Sequence, residues 1–217
     1  MLSMLEEVVL LAVDERTGGL RSTREFGASY ALVGAVFFDL ALAGKIDTDT
    51  EAIQIVDRSP TGNATLDRVL HAMADRPELT TVRQWIEEIF RRREDLEGEA
   101  LQSLIARGIL RHEKSKRLWI IDVERFPLVD NLPQLYVKTR LANAILSDAI
   151  PNTRDIMLVS IAEACGLLGY ALDETQLSAR RQRILTLCGL ETISRKVTAA
   201  IDDLTGSVGQ AMTMTTL

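Results

Sequence analysis

Histidine and cysteine are scarce in this chain, two of each among 217 residues. That scarcity leaves little room for metal or thiol chemistry. Cys165 and Cys188 lie in apolar, helix-like surroundings with no Cys-x-x-Cys and no neighbouring histidine, so they read as buried reduced thiols and no metal site is indicated. His71 falls on a helix with Leu66 and Val69 and reads as a surface or boundary residue, while His112 stands among basic residues. Glycine-rich nucleotide loops, zinc-protease pairs and serine-hydrolase elbows are missing. The acidic pairs Glu6-Glu7, Glu87-Glu88 and Asp202-Asp203 read as solvated helix faces. The expectation is a protein that is not an enzyme, with no catalytic residue, no cofactor and no metal.

Long apolar runs are lacking too. No apolar uncharged stretch approaches the roughly 18 residues that mark a transmembrane helix, and the longest charge-free apolar run, Phe26 to Phe38, is rich in Gly and Ala. Met1 to Val13 is apolar, but Glu6 and Glu7 interrupt it and no basic segment precedes it, unlike a signal peptide. These absences suggest a cytoplasmic protein, peripheral on the inner face of a membrane. The net charge of −6 argues against a general nucleic-acid binder.

What is present is apolar material for a core, 47% of residues, set mostly at helical spacing. Ser3 and Glu6 form a capping box ahead of Leu5, Val8, Val9 and Ala12. Glu25 to Leu42 is apolar nearly all round, the mark of a central buried helix, and Gly44 closes it. Asp39 on that helix needs a partner. Residues 45–57 read as a strand and Ser59 to Gly62 as a turn. Asn63 caps a helix carrying Leu66, Val69, Leu70 and Met73. Thr81 and Gln84 open another with Trp85, Ile86, Ile89 and Phe90, where Trp85 reads as core. Leu96 to Arg107 is a further helix, stopped by Gly108. Pro133 begins the next. Asp155 to Leu168 is strongly apolar, Leu177 to Leu187 carries Arg180, Arg181 and Arg183 on a polar face, and Glu191 to Leu204 closes the fold. Residues 205–217 are small, polar and Met-dotted, which suggests a disordered tail after a single domain over 1–204. The fold class expected is mainly α, one helical domain with a projecting β-hairpin.

Charge is unevenly spread. Residues 1–90 hold 8 basic and 15 acidic side chains, net −7; residues 91–117 hold 8 and 5, net +3; residues 118–217 hold 9 and 11, net −2. The one net-positive segment runs from Arg91-Arg92-Arg93 into a hairpin. That hairpin reads as Ile109 to His112, a polar turn Glu113 to Lys116, and a return strand Arg117 to Asp122. Leu118, Trp119, Ile120 and Ile121 make the return strand apolar on both faces. Either both faces are buried, or one awaits a partner. Arg91 to Arg93 likewise admit two readings: cations at the negative end of a helix dipole, or a site for anionic head groups with Arg24. A basic patch beside exposed apolar side chains suits an anionic membrane surface.

The motifs, in order, resemble the Golgi phosphoprotein 3 family. They are Met4 to Leu11, Phe38-Asp39-Leu40-Ala41-Leu42-Ala43-Gly44-Lys45-Ile46, Pro60-Thr61-Gly62 with Leu66-Asp67, Val82 to Glu87, Gly108-Ile109-Leu110, Glu113-Lys114, Leu118 to Asp122 and Phe126-Pro127-Leu128. The resemblance implies a single helical domain with a projecting hairpin and peripheral membrane binding through phosphatidylinositol 4-phosphate. In Golgi members it also implies adaptor work on the cytoplasmic tails of glycosyltransferases. This chain looks like a compact bacterial-type member without the basic arm of the Golgi proteins. The family's pocket Trp and Arg fall on Arg24 and Val33, and its two arginines before the hairpin fall on Glu94 and Glu97. Expected partners are therefore an anionic phospholipid surface, membrane-enzyme tails and a second copy through the hairpin, with no nucleic acid. A competing reading is a winged-helix-like DNA-binding regulator over residues 81–122. Glu97 and Glu99 against Arg107 make its recognition helix a poor groove reader. A small hydrolase is a third reading without a motif.

Overall fold

The computed structural model describes residues 1–21, 27–48, 52–117 and 121–214, with the backbone alone for 115–117, 121–123 and 206–214. Ten α-helices and two antiparallel strand pairs make up the regular structure of the described residues, apart from one 3₁₀ turn. Local chemistry sets most boundaries. The Ser3 hydroxyl accepts from Glu6 N at 3.1 Å and Glu6 Oε2 accepts from Ser3 N at 2.7 Å, opening α1 (Met4–Ala12). Helix α2 (Gly27–Leu42) ends at Gly44, whose φ of +66° suits only glycine without strain. Asn63 caps α3 (Ala64–Asp75) and the Thr81–Gln84 box opens α4 (Val82–Phe90). Helix α5 (Arg93–Ala106) stops at Gly108, with φ of +70°.

Beyond the hairpin come α6 (Leu132–Leu146) with Pro133 in its first turn, α7 (Thr153–Ala164), a 3₁₀ turn at Leu168–Tyr170, α8 (Glu174–Ala179), α9 (Arg181–Cys188) and α10 (Thr192–Met214).

Several boundaries differ from the sequence reading. The strand expected over 45–57 is two short strands, β1 (Ile46–Thr48) and β2 (Ile53–Ile55), with Ile46 opposite Ile55. Helix α7 ends at Ala164 rather than Leu168, because Gly166 turns left-handed at φ +71°. The helix expected over 177–187 breaks at Arg180. Arg181 stays exposed on the polar face, but the other two arginines turn to α6: Arg180 donates to Leu146 O at 2.5 Å and Arg183 to Ala144 O at 3.0 Å. They satisfy the orphan carbonyls at the C-terminal end of α6, where a cation also favours the helix dipole. Helix α10 continues past Leu204 to Met214, through residues whose composition suggests a disordered tail.

Helix α2 is the axis of the fold. Twelve of its 16 residues are buried, and α1, α4, α5, α7 and α10 pack around it. Phe37 and Phe38 are wholly buried, each contributing about 1.5–3 kcal/mol from loss of water contact. A Cβ on Gly34 would stand 2.3 Å from Ile161 Cδ1 and 3.2 Å from Val197 Cγ1, so glycine lets α7 and α10 close onto α2. Helix α7 is buried along eight of its 12 residues.

Glu6 and Glu7 correct the expectation of a solvated face. They are 5% and 2% exposed. Glu7 Oε1 accepts from Arg140 Nη1 at 2.6 Å and lies 3.3 Å from Arg154 Nη2. Arg140 also grips Asp155, and Arg107 reaches Glu6 Oε2 at 3.1 Å. Asp39 finds its partner here: its carboxylate accepts from Met4 N at 2.8 Å and Leu5 N at 3.3 Å, capping α1, with Arg154 Nη1 at 3.6 Å. Burial pushes the Asp39 carboxyl above its ordinary range, against the pull of the Met4 N–H and of Arg154. The three arginines stand about 100 to 150 positions from the glutamates, so no local pattern announces them.

Candidate functional site

The hairpin is built from β3 (Glu113–Arg117) and β4 (Ile121–Arg125). This corrects the expected register. Glu113 to Lys116, read as a turn, form most of the first strand, and the return strand begins at Ile121. The physical reason is charge. Pairing places Glu113 opposite Arg125, Lys114 opposite Glu124 and Lys116 opposite Asp122, three opposite-sign pairs where a two-residue slip in either direction would leave one. Lys114 Nζ lies 3.6 Å from Glu124 Oε1. An apolar-periodicity reading sees only the apolar run and puts the strand there.

The strands pack chiefly on each other. Their base is tied to the body. Phe126 N donates to Gly18 O at 2.6 Å and Arg111 N to Pro127 O at 3.0 Å. Gly18, at φ +66°, lies so close to the Phe126–Pro127 backbone that a Cβ would meet Pro127 N at 2.6 Å. Of the four apolar hairpin residues, Leu118, Trp119 and Ile120 join the strands and lie outside the described residues. Ile121 opens β4 opposite Arg117. Arg24 also lies outside the described residues.

Arg91, Arg92 and Arg93 occupy the corner between α4 and α5. Their side chains diverge. Arg91 is exposed and lies 2.8 Å from Glu88. Arg93 folds back, its guanidinium 4.7 Å over the Phe90 ring and its Nη1 3.3 Å from Phe90 O. Arg92 lines a cavity of about 240 Å³ between α3 and α4. The triple-arginine run is thus a basic corner rather than a clamp on one atom.

A separate cleft of about 630 Å³ runs along the other face of α5 to the hairpin base. Glu94 and Glu97 enter it from α5, and Glu124 from β4. Leu20, Leu101, Ile105 and Phe126 supply apolar wall. The His112 ring stacks on Phe126 at 5.3 Å, and its Nε2 is 3.6 Å from Glu124. Burial raises the Glu97 carboxyl above its usual range, and Glu94 adds to the shift. Such a lining disfavours a phosphate. It holds the very positions that the family resemblance assigns to two arginines.

The arginines of the buried network escaped the sequence reading, as did the cavity at Arg92. Arg68 meets Glu99 across α3 and α5, 31 positions apart, and no spacing rule reaches so far. Among the described residues, no helix is long and apolar enough to cross a membrane, and no group of three metal-ligating side chains is present.

Comparison with known proteins bears on this geometry. The chain is 28% identical to the vacuolar protein sorting-associated protein 74 of Eremothecium gossypii over 181 residues. That match covers 74% of this chain, and the chain spans about half of the relative's length, 53%. The family model described as Golgi phosphoprotein 3 (GPP34) matches residues 4–204, from the capped start of α1 through the hairpin and into α10. The collinear motifs, the helical body and the basic hairpin thus have one common source: the chain belongs to the Golgi phosphoprotein 3 family.

Proposed function

We propose that this protein is not an enzyme but associates peripherally with membranes rich in anionic lipids, presenting the Arg91–Arg93 corner and the β3–β4 hairpin to the lipid face. The observation that carries this reading is the hairpin. Two charge-laddered strands stand on a tied base, and the residues joining them are Leu118, Trp119 and Ile120. The net +3 of residues 91–117 is worth about 3 kcal/mol at an anionic surface, at about 1 kcal/mol per charge. Burying Trp119 and Ile120 adds on the order of 4 kcal/mol, at about 1.5–3 kcal/mol each. Both contributions must offset the freedom lost on association.

Family resemblance makes phosphatidylinositol 4-phosphate the first head group to test. Glu94 and Glu97 argue that any such recognition here differs from phosphate capture in that cleft. The relative's name refers to protein sorting, which supports an adaptor role toward the tails of membrane enzymes, read from the same membrane-facing side.

Flotation with neutral, phosphatidylserine and phosphatidylinositol 4-phosphate vesicles tests the proposal. The protein floats with the anionic vesicles and not the neutral ones. Replacing Arg91, Arg92 and Arg93 by Glu abolishes flotation. Trp119→Ser weakens it while the melting temperature stays put. Unchanged flotation of the triple variant would overturn the reading. A lower sedimentation coefficient of Trp119→Ser with unaltered flotation would assign the hairpin to pairing of two copies instead.

A further inference from the structure

We infer that the cavity between α3 and α4 is an anion-recognising pocket, suited to a phosphate monoester carried on a short apolar stem. Three guanidinium groups reach it from separate elements: Arg68 on α3, Arg76 at the end of α3, and Arg92 at the α4–α5 corner. Its wall is apolar, with Val69, Trp85 and Ile89 among the lining side chains. At about 240 Å³ it falls just below the roughly 300 Å³ at which drug-sized pockets begin, which limits the stem to a few carbons.

The charges around the mouth are unequal in their commitments. Glu88 is already held by Arg76 and Arg91, each at 2.8 Å, and Asp75 lies 3.5 Å from His71 Nε2. Arg68 is engaged with Glu99. Arg92 has no hydrogen-bond or carboxylate partner among the described residues, so its planar fork is open to a bidentate anion. Trp85 is held still beneath, its indole N–H donating to Leu79 O at 2.8 Å with the ring 2% exposed.

The pocket and the acidic cleft use opposite faces of one helix. Arg92 and Leu96 stand four apart and face the pocket. Glu94, Glu97, Leu101 and Ile105 fall at helical spacing on the far side. Glu94 and Glu97 therefore never share a cavity with Arg92; the carboxylates that do line the pocket are Glu88, held by Arg76 and Arg91, and Asp75. This inference goes beyond membrane association and stands without it. Only the source of the phosphate, a lipid head group or a soluble ester, connects the two.

The test uses the full chain with Trp119→Phe, which leaves Trp85 as the single indole. Hexyl phosphate shifts Trp85 emission saturably, and hexanol binds more weakly by about tenfold or more, the worth of a charge-assisted hydrogen bond. Arg92→Ala weakens hexyl phosphate by about tenfold and leaves hexanol unchanged. Ala72→Leu, which fills the cavity from α3, removes both responses while melting shows the fold intact. Vesicles of phosphatidic acid that reproduce the shift identify a lipid source, and their silence beside a hexyl phosphate response identifies a soluble one. No saturable shift at millimolar hexyl phosphate, or an affinity indifferent to Arg92→Ala and Ala72→Leu, would overturn the assignment.

Discussion

Two regions of this molecule use charge in opposite ways. Around the start of α1, Glu6, Glu7 and Asp39 are nearly inaccessible and are held by Arg140 and Arg154, themselves largely enclosed, and by Arg107 from the rim. On the hairpin, opposite charges face each other in water, Lys114 72% and Glu124 55% exposed. The first arrangement cannot lose a member without leaving a charge stranded in low dielectric. The second can be rearranged at little cost. Burial fixes the first set to the fold and leaves the second free to rearrange. The same composition, glutamates with arginines and lysines, serves both.

The sharpest way to break this comparison is at Arg140. It bridges Glu7 and Asp155 with its side chain 16% exposed. Glu7 already has one oxygen, Oε2, without a hydrogen-bond partner. Arg140→Met leaves Glu7 to Arg154 alone, and the expected loss is about 3–5 kcal/mol, as for other buried pairs missing one member. In a chain of this size that lowers the melting temperature by roughly 6–20 °C, at about 2–4 °C per kcal/mol. Arg140→Lys keeps the charge but cannot grip two carboxylates with one planar fork, so it falls between. Thermal melting and urea unfolding decide the matter. A loss below about 1 kcal/mol would place the network with the surface pairs and dissolve the contrast.

How far the sequence reaches follows the same division. Caps and stops were legible because their chemistry is local: Ser3 with Glu6, Asn63, Thr81 with Gln84, Gly44 and Gly108 all stand where residue type requires. The burial of α2 was legible because it lacks a polar face. Asp39 signalled a need for a partner, but not which one, since the Met4 N–H group it caps is 35 positions away. Glu6 and Glu7 misled because a paired acid on a helix is usually solvated, and only the tertiary approach of distant arginines reverses that. The hairpin's existence was visible in the stop at Gly108 and in the polar break at Glu113 to Lys116 ahead of an apolar run. Its register was not, because a cross-strand charge ladder outweighed the apolar run. At the site, the basic corner was legible as composition, while the divergence of its three side chains depends on Glu88, Phe90 and the α3–α4 cavity.

A milder probe of the buried side is Asp39→Asn, read as a function of pH. Burial raises the Asp39 pKa in the folded state above the ordinary carboxyl value of an unfolded chain. The folded protein then binds more protons than the unfolded chain across the interval between the two values, so Asp39 makes stability fall as pH rises through that interval. Asparagine keeps an acceptor for the Met4 N–H and carries no charge. The difference in stability, variant minus parent, should therefore grow in the variant's favour as pH climbs from below the ordinary carboxyl pKa through that interval, and then level off. Asp39→Ala leaves the Met4 and Leu5 N–H groups uncapped and should cost about 1–2 kcal/mol, as the loss of a helix cap does. Denaturation curves at a series of pH values distinguish the two. A difference that moves the other way would mean that Arg154 and the helix N-terminus outweigh desolvation at Asp39.

The smallest expected effect is on the hairpin, and its smallness is the point. Lys114→Glu sets two carboxylates opposite each other at Glu124. On an exposed antiparallel pair that costs about 0.2–1 kcal/mol, a melting change of a few degrees at most. Adding Glu124→Lys restores the opposite signs, and a double-mutant cycle should recover most of the loss. The swap has a second consequence at the hairpin base. Glu124 also lines the acidic cleft and lies 3.6 Å from His112, so lysine there removes one of its three carboxylates and puts a cation beside the imidazole. Flotation on anionic vesicles, if carried by the strand charges as a set, is unaltered by the swap, since it leaves the hairpin's net charge as it was. Flotation that drops with Lys114→Glu and returns with the swap ties the charge ladder to the membrane. A cost for Lys114→Glu approaching that of Arg140→Met would show that the hairpin is as rigidly built into the fold as the network, and that its charges are structural as well.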